Sequence, residues 1–345
     1  MNKLDTWAVV LTADEPEILI LANVAWHLAT GASQVFVYLD QPDDSAAEPL
    51  AKMPGVTVTQ CNAAHWAHLN GGDGRPKLQM RRQTLNANHA LAQAQTDWLI
   101  SLDADEFLCQ DRPLAKELTY VAELGVELHF PVWERAYVRR QQITGLFDGV
   151  LRGSTKGRHR YDDIIFGPDR GCYINGLLGH SAGKCAVPTG QDFVLGLHWS
   201  FRGQARRDKR SNRYTSTTSR LFHFDGLTPL HWLIKIVRYA GHDIDDLLRL
   251  VSGHRIEQVN QFLSTNMSHR AGKRLHRALQ ILRPAHLDRL EGFGLLDRAG
   301  FDPLPKIRQV LPEIKATTTA AFDAELIKRY PAAIEAIYDF DPQNT

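Results

Sequence analysis

Short apolar runs alternate with amphipathic stretches through the N-terminal part of the chain. Trp7–Thr12 (WAVVLT) is rich in β-formers and is bounded by the polar Ala13-Asp14-Glu15-Pro16, which predicts a buried strand. Pro16 suits the first turn of a helix, apolar residues recur at helical spacing from Glu17 to Thr30, and Gly31 supplies a C-terminal cap. Val35–Leu39 (VFVYL) predicts a second buried strand ending at Asp40. Asp40–Ser45 reads as a loop, Ala46–Met53 as a short helix and Val56–Gln60 as a third strand. This β-α-β-α-β order predicts a parallel, doubly wound α/β sheet, whose ligands bind beyond the carboxyl ends of the strands.

His65–Lys77 contains Gly71-Gly72-Asp73-Gly74-Arg75-Pro76 and reads as a flexible loop. Leu78–Ala94 predicts a helix with Arg81, Arg82 and Gln83 in its early turns. Trp98–Leu102 (WLISL) predicts a fourth buried strand that delivers Asp103 at its carboxyl end. Further on, Val126–Val132 reads as a strand, and Gly145–Gly196 alternates short apolar pieces with Gly and Pro, as strands joined by long loops do. From Thr228 the pattern turns helical, with helices predicted over Leu230–Ala240, Asp243–Val251, Ile256–Leu263, Lys273–Leu282 and Ala320–Tyr330. There is no internal repeat and no low-complexity tract.

With 345 residues the chain accommodates one large domain with additions or two smaller ones, and 43% hydrophobic content supports a substantial core. A formal net charge of +1 gives no global reason to expect nucleic-acid binding. Cys61, Cys109, Cys172 and Cys185 form no C-x-x-C pair, which excludes the usual zinc and redox motifs and fits reduced thiols in a cytoplasmic compartment. Met1-Asn2-Lys3-Leu4-Asp5 does not begin a signal peptide, and no stretch approaches the ~20 apolar residues of a membrane helix. Peripheral contact with the inner membrane and oligomer formation are left open.

The chemistry concentrates in Asp103-Ala104-Asp105-Glu106. Three carboxylates so close repel one another, and a hard divalent cation, Mn²⁺ or Mg²⁺, relieves that repulsion while neutralising a departing diphosphate. The alternative is an acidic turn that caps a helix. The preceding apolar strand favours the site reading.

Trp7–Glu15 (WAVVLTADE), Val35–Asp40 (VFVYLD) and above all Asp97–Leu108 (DWLISLDADEFL) resemble bacterial family-2-type glycosyltransferases with the GT-A fold; His180-Ser181-Ala182-Gly183-Lys184 and Leu197-His198-Trp199 match more weakly. The family's usual Lys-Asn-Glu after the first strand is replaced here by Thr12-Ala13-Asp14-Glu15. The resemblance covers about the first two-thirds of the chain. It implies a GT-A-like doubly wound mixed sheet over residues 1–228, followed by a helical C-terminal extension over 229–345. It also implies metal-dependent, inverting transfer of a sugar from a UDP-sugar or other nucleotide-sugar donor to a saccharide or lipid-linked acceptor, as in polysaccharide biosynthesis. Thr12, Glu15 and Asp40 would lie near base and ribose, Asp103 at ribose or metal, and Asp105 on the metal, with His198 as a third metal ligand. Arg81 would approach base or phosphates.

His223, in Leu-Phe-His-Phe-Asp, rivals His198 and is assigned to the acceptor side. An inverting transferase needs a general base. Asp162, Asp163, Asp192 and Asp225 are the candidates in the downstream half, with Asp225 favoured and Asp163 next. Gly179-His180-Ser181-Ala182-Gly183-Lys184-Cys185 superficially suggests a phosphate-binding P-loop, but Leu178 stands where the first Gly should, and Cys185 replaces Ser/Thr. Lys184 stays a candidate for the donor phosphates or an acceptor acid. The basic run Arg206-Arg207-Asp208-Lys209-Arg210 reads as a solvated loop or a contact for anionic lipid or diphosphate. The rival classes are a metal-dependent nucleotidyltransferase or sugar-nucleotide hydrolase, and a nucleotide-sugar-binding pseudoenzyme.

Overall fold

The computed structural model describes residues 5–157, 160–203, 209–242, 247–248, 251–314 and 317–341. In chain order the elements begin β1 (Trp7–Ala13), α1 (Glu17–Ala29), β2 (Gln34–Leu39), α2 (Ala47–Ala51), β3 (Val56–Gln60), α3 (Ala63–Leu69), α4 (Gln79–Gln93), β4 (Trp98–Leu102) and β5 (Glu106–Gln110). They continue with α5 (Leu114–Leu124), β6 (Glu127–Phe130), β7 (Val132–Val138), β8 (Val150–Gly153), α6 (Arg160–Phe166), β9 (Lys184–Pro188), β10 (Phe193–Leu195), β11 (Ser200–Arg202), β12 (Arg213–Thr215), β13 (Ser219–His223) and α7 (Pro229–Ala240). Beyond α7 the chain is mainly helical, with two short strands, β14 (Ile281–Leu282) and β15 (Leu296–Asp297).

The chain divides into two compact units. One comprises residues 1–131, 182–221 and 303–314, the other 132–181, 222–302 and 315–345. The sequence division at residue 228 follows the change from strands to helices. Compactness interleaves the segments instead, because the helix Leu304–Val310 returns to lie against α1 and residues 132–181 fold with the later helices.

The first unit is an α/β layer built on a seven-stranded mixed sheet of order β12-β6-β9-β4-β1-β2-β3. β1 to β4 are mutually parallel, and β9 inserts antiparallel between β4 and β6. The strands predicted from apolar runs form where expected, since such runs can be buried on both faces. On one face Val10, Phe36, Tyr38, Leu99 and Val187 pack with Trp66 of α3 and Ala87 and Ala90 of α4. α1 lies on this unit as well and is buried without interruption from Ile18 to His27.

Two local differences from the sequence reading have clear causes. Residues 63–69 form α3 and take in the start of the loop expected over His65–Lys77, because the Asn62 side chain accepts from the His65 N–H at 3.0 Å to cap the helix and Trp66 is buried. The strand predicted over Val126–Val132 is two strands, β6 and β7, with Pro131 between them. Proline has no N–H to give to a ladder. Residues 206–208 of the basic run and most of the helix predicted over Asp243–Val251 lie outside the described residues. Arg210, at the end of that run, stacks its guanidinium 3.5 Å from the Trp199 ring centroid.

In the second unit β7 and β8 pair antiparallel, with β15 beside β8 and β14 parallel to β7. α7 is its central helix, burying Leu230, Trp232, Leu233, Ile234, Ile236 and Val237. Helices Gly253–Leu263, His269–Gln280, Thr319–Arg329 and Pro331–Glu335 pack on it. None of the helices among the described residues is long and apolar enough to cross a membrane. All four cysteines are free thiols.

α1 also carries two polar side chains into the interior, and both serve the acidic turn. The Asn23 amide donates to the carbonyls of Ala104 at 3.0 Å and Glu106 at 2.7 Å. His27 Nδ1 lies 2.8 Å from the Asn23 carbonyl, and its Nε2 accepts from the Leu108 N–H at 3.2 Å. An Nε2 that accepts must be unprotonated, so this geometry needs neutral imidazole. Burial accordingly lowers the His27 pKa to about 4, and the Asn23 hydrogen bond offsets only part of that shift. A group whose pKa is lowered on folding takes up its proton more readily in the unfolded chain. Its contribution is therefore whole above about pH 6.5 and is lost as the pH falls towards about 4. Urea unfolding across that window should show a loss of about 3 kcal/mol attributable to His27. The slope should be shallower in His27→Gln; an unchanged slope would remove His27 from the account.

Candidate functional site

β1 is central among the parallel strands. The chain winds from β1 to β2 and β3 on one side, then returns to place β4 on the other. The carboxyl ends of β1 and β4 therefore diverge at a topological switch point, where open α/β sheets bind ligands. A pocket opens there, lined by Val10 and Thr12 of β1, Ser101, Leu102 and Asp103 at the end of β4, Gln83 and Ala87 of α4, and Leu197. Thr12 Oγ1 accepts from the Asn86 amide at 3.0 Å, which fixes the hydroxyl at the pocket.

Asp103 is gripped from two directions. Gln83 Nε2 donates to Oδ1 at 2.6 Å and Lys184 Nζ to Oδ2 at 2.9 Å. Its own N–H donates to Glu106 Oε2 at 2.8 Å, which closes the turn. The Lys184 ammonium also stands 3.4 Å from Glu106 Oε2. Burial lowers the Lys184 pKa, but attraction to Asp103 and Glu106 outweighs it and the net shift is upward, so the lysine stays charged. Lys184 is 1% exposed, whereas the Asp103 side chain keeps 30% of its surface open. The lysine thus supports the carboxylate from behind, whereas the sequence reading had it approach the donor phosphates or an acceptor acid. Asp105, next along the turn, is buried.

Asp40, at the end of β2, is buried and shared by two guanidiniums. Arg82 reaches it through Nε at 2.9 Å and Nη2 at 2.9 Å, and Arg75 of the glycine-rich loop through Nη2 at 2.7 Å. Arg82, not Arg81, is therefore the α4 arginine at the carboxyl edge of the sheet. Arg81 is exposed and donates to Asn70 Oδ1 at 2.9 Å. The signal was present in the helical phase: Arg82, Asn86 and Ala90 are spaced four apart on the buried face, which turns Arg81 outward. Glu15 is half-buried in the segment before α1.

His198 lies between β10 and β11 with Nδ1 2.9 Å from the Gly183 carbonyl. Donation from Nδ1 leaves Nε2 with its lone pair, the tautomer a ligand needs. Among the described residues, however, no three His, Cys, Asp or Glu side chains are grouped so as to hold a metal ion. Both oxygens of Asp103 already accept hydrogen bonds, one from an ammonium. The expected Mn²⁺ or Mg²⁺ on Asp103, Asp105 and His198 does not fit this arrangement.

The P-loop-like motif resolves into close backbone packing. Gly183 has φ +72, and a Cβ there would meet the Phe130 carbonyl at 2.2 Å and His129 Nε2 at 2.5 Å. In the second unit, a Cβ on Gly179 would lie 2.4 Å from His223 Cε1. Its glycines are there for close approach and not for phosphate.

That second unit holds its own charged cluster. Glu134, fully buried, pairs with Arg152 across β7 and β8 and accepts the N–H groups of Leu178 at 2.8 Å and Gly179 at 2.7 Å. Burial raises its pKa, but Arg152 and His223 pull it below the usual carboxylate range. His223 Nδ1 is 3.6 Å from Glu134 Oε2, and its ring centroid is 4.7 Å from that of His180. Neither carboxylate favoured as general base is placed for that work. Asp225 is buried against Arg255 at 2.8 Å, with Lys235 at 3.9 Å. These cations overcome the upward pull of burial and hold it far below the carboxylate range, which makes it a poor proton acceptor. Asp163 is exposed and paired with Arg170. Sequence reasoning missed Glu134 and Arg152 because they read as ordinary strand residues.

No family model and no curated protein matches the chain. Among solved structures it is similar to the crystal structure of S. aureus TarS 1–349, with a TM-score of 0.31 and 10% identity over 97% of this chain and 94% of that one. It is also similar to a crystal structure of S. aureus TarS at TM-score 0.30 and 12% identity, covering 97% of this chain and 57% of that one. The TarS 1–349 complex with UDP gives 0.27 and 12%, over 97% and 94%. These are distant likenesses, and the reading of the site rests on its own geometry.

The two ion pairs on Asp40 should separate in unfolding experiments. Arg82 is buried with its partner, so Arg82→Ala leaves the buried Asp40 carboxylate with only the half-exposed Arg75 and should cost about 3 kcal/mol. Arg75 is 48% exposed. Arg75→Ala should cost under about 1 kcal/mol. Equal losses in urea titrations would contradict this division.

Proposed function

We propose that the chain is a glycosyltransferase that takes a sugar from a nucleotide-sugar donor, a UDP-sugar being the first to try, and passes it to a saccharide or lipid-linked acceptor with inversion. The observation that carries the reading is the part-open Asp103 carboxylate, fixed by Gln83 and Lys184 in a pocket at the switch point between β1 and β4. The D-x-D-E-F-L segment that contains it supports the reaction class through its resemblance to family-2-type glycosyltransferases. A carboxylate oriented by two donors still has lone pairs to accept hydroxyl groups of a nucleoside. Asp40, facing two guanidiniums with one carboxylate, leaves a net positive charge at the same carboxyl edge of the sheet. Positive charge there offsets the diphosphate as the sugar departs. With the donor fixed, transfer requires an acceptor hydroxyl in line with the anomeric carbon, and the proton it loses passes to a base other than Asp225 or Asp163 as they are paired here.

A thermal-shift panel of nucleotide sugars tests the reading directly. At a hundredfold excess over Kd, a ligand that binds only the folded chain stabilises it by about 2.7 kcal/mol. Asp103→Ala should weaken binding of that same ligand by about tenfold or more. Mass spectrometry of the reaction should then show the sugar on an acceptor. Free sugar released at full rate without acceptor would point to a hydrolase, and binding without turnover to a pseudoenzyme. A panel in which no nucleotide sugar shifts the melting point would sink the proposal.

A further inference from the structure

The acidic turn needs positive charge, and this chain supplies it from within the sheet. β9 runs antiparallel to β4 with Ile100 opposite Ala186, and continuing that register sets Lys184 beside Leu102 at the carboxyl end of β4. β9 itself lies between β4 and β6, where Phe130 pairs with Lys184, and the lysine is buried. Its ammonium lies 2.9 Å from Asp103 Oδ2 and 3.4 Å from Glu106 Oε2. Gln83 occupies Oδ1 of Asp103. A divalent ion on Asp103 would have to share the carboxylate with a buried ammonium, and the repulsion between them grows as the inverse of their separation. Oxygen-rich, multiply anionic ligand sets are what Mg²⁺ and Mn²⁺ select. Here one of the three carboxylates is fully buried and a second is already ion-paired.

We infer that Lys184 takes the place of a divalent cation at this turn, so that the donor site, on the reading above, binds its nucleotide without metal. Lys184 is a positioning residue: it neutralises and orients Asp103 and does not touch the donor.

Three measurements on the full chain test this. Mn²⁺ alone is titrated into the wild-type protein and free Mn²⁺ is followed by electron paramagnetic resonance. The signal should match that of buffer; one-to-one depletion at micromolar protein overturns the inference. UDP binding is measured by calorimetry in EDTA and in Mn²⁺, and the two Kd values should agree within about twofold. Loss of about tenfold or more in EDTA, restored by Mn²⁺, overturns it as well. Lys184→Met should convert the turn into a cation site that depletes Mn²⁺, since Asp103 and Glu106 then lose the ammonium they share. A folded variant that leaves Mn²⁺ free counts against the lysine's role, and if the variant does not fold, the wild-type titration decides. Absence of UDP binding under both conditions would reject the donor-site reading, while the Mn²⁺ titration of the protein alone still decides the question of metal.

Discussion

Charge crowding at residues 103–106 is the constraint around which the first unit is arranged. Three carboxylates at the end of a buried strand cannot remain ionised beside an apolar sheet unless cations and N–H groups meet them. β9 brings the Lys184 ammonium, α4 brings the Gln83 amide, and the turn folds back so that the Asp103 N–H meets Glu106. From the other side α1 secures the backbone, with Asn23 on the carbonyls of Ala104 and Glu106 and His27 on the Leu108 N–H. The insertion of an antiparallel strand into a parallel sheet thus has a local consequence: β9 lies beside β4 and presents Lys184 to the end of β4.

The same rule governs the other buried acids. Asp40 is met by Arg82 and Arg75, Glu134 by Arg152 and two backbone N–H groups, and Asp225 by Arg255. Buried ion pairs of this kind add little net stability, because desolvation consumes most of the attraction. Losing one partner is costly all the same. They act as constraints on position, fixing where α4 meets the sheet edge in the first unit and where β7 meets β8 in the second.

Much of the first unit was legible in the sequence because its strands are uninterrupted apolar runs and its site residues end them. Trp98–Leu102 announced both β4 and the place of Asp103. What could not be read was pairing at a distance. Lys184 is 81 positions from Asp103, and nothing around it but a false P-loop motif hinted at its role. Asp225 looked like a free acid because Arg255, 30 positions later on the helix Gly253–Leu263, is invisible to local pattern. Arg81 and Arg82 are adjacent and chemically identical, and only the helical phase distinguishes the exposed one from the one that reaches Asp40. The interleaving of the two units escaped for the same reason, since Leu304–Val310 shows no local sign that it returns to α1.

Accessibility then separates Asp40, Asp225 and Glu134 from Asp103. The side chains of Asp40 and Asp225 are each 3% exposed and that of Glu134 not at all, so their lone pairs are spent on cations and N–H groups. Asp103 is paired as firmly, yet its position at the very end of β4 leaves it facing the pocket. A carboxylate that is neutralised from behind and open in front can accept a hydroxyl without the desolvation cost of a bare anion. On the proposed function, it is this combination of compensation and exposure, more than the acidity of the turn, that suits the end of β4 to a ligand.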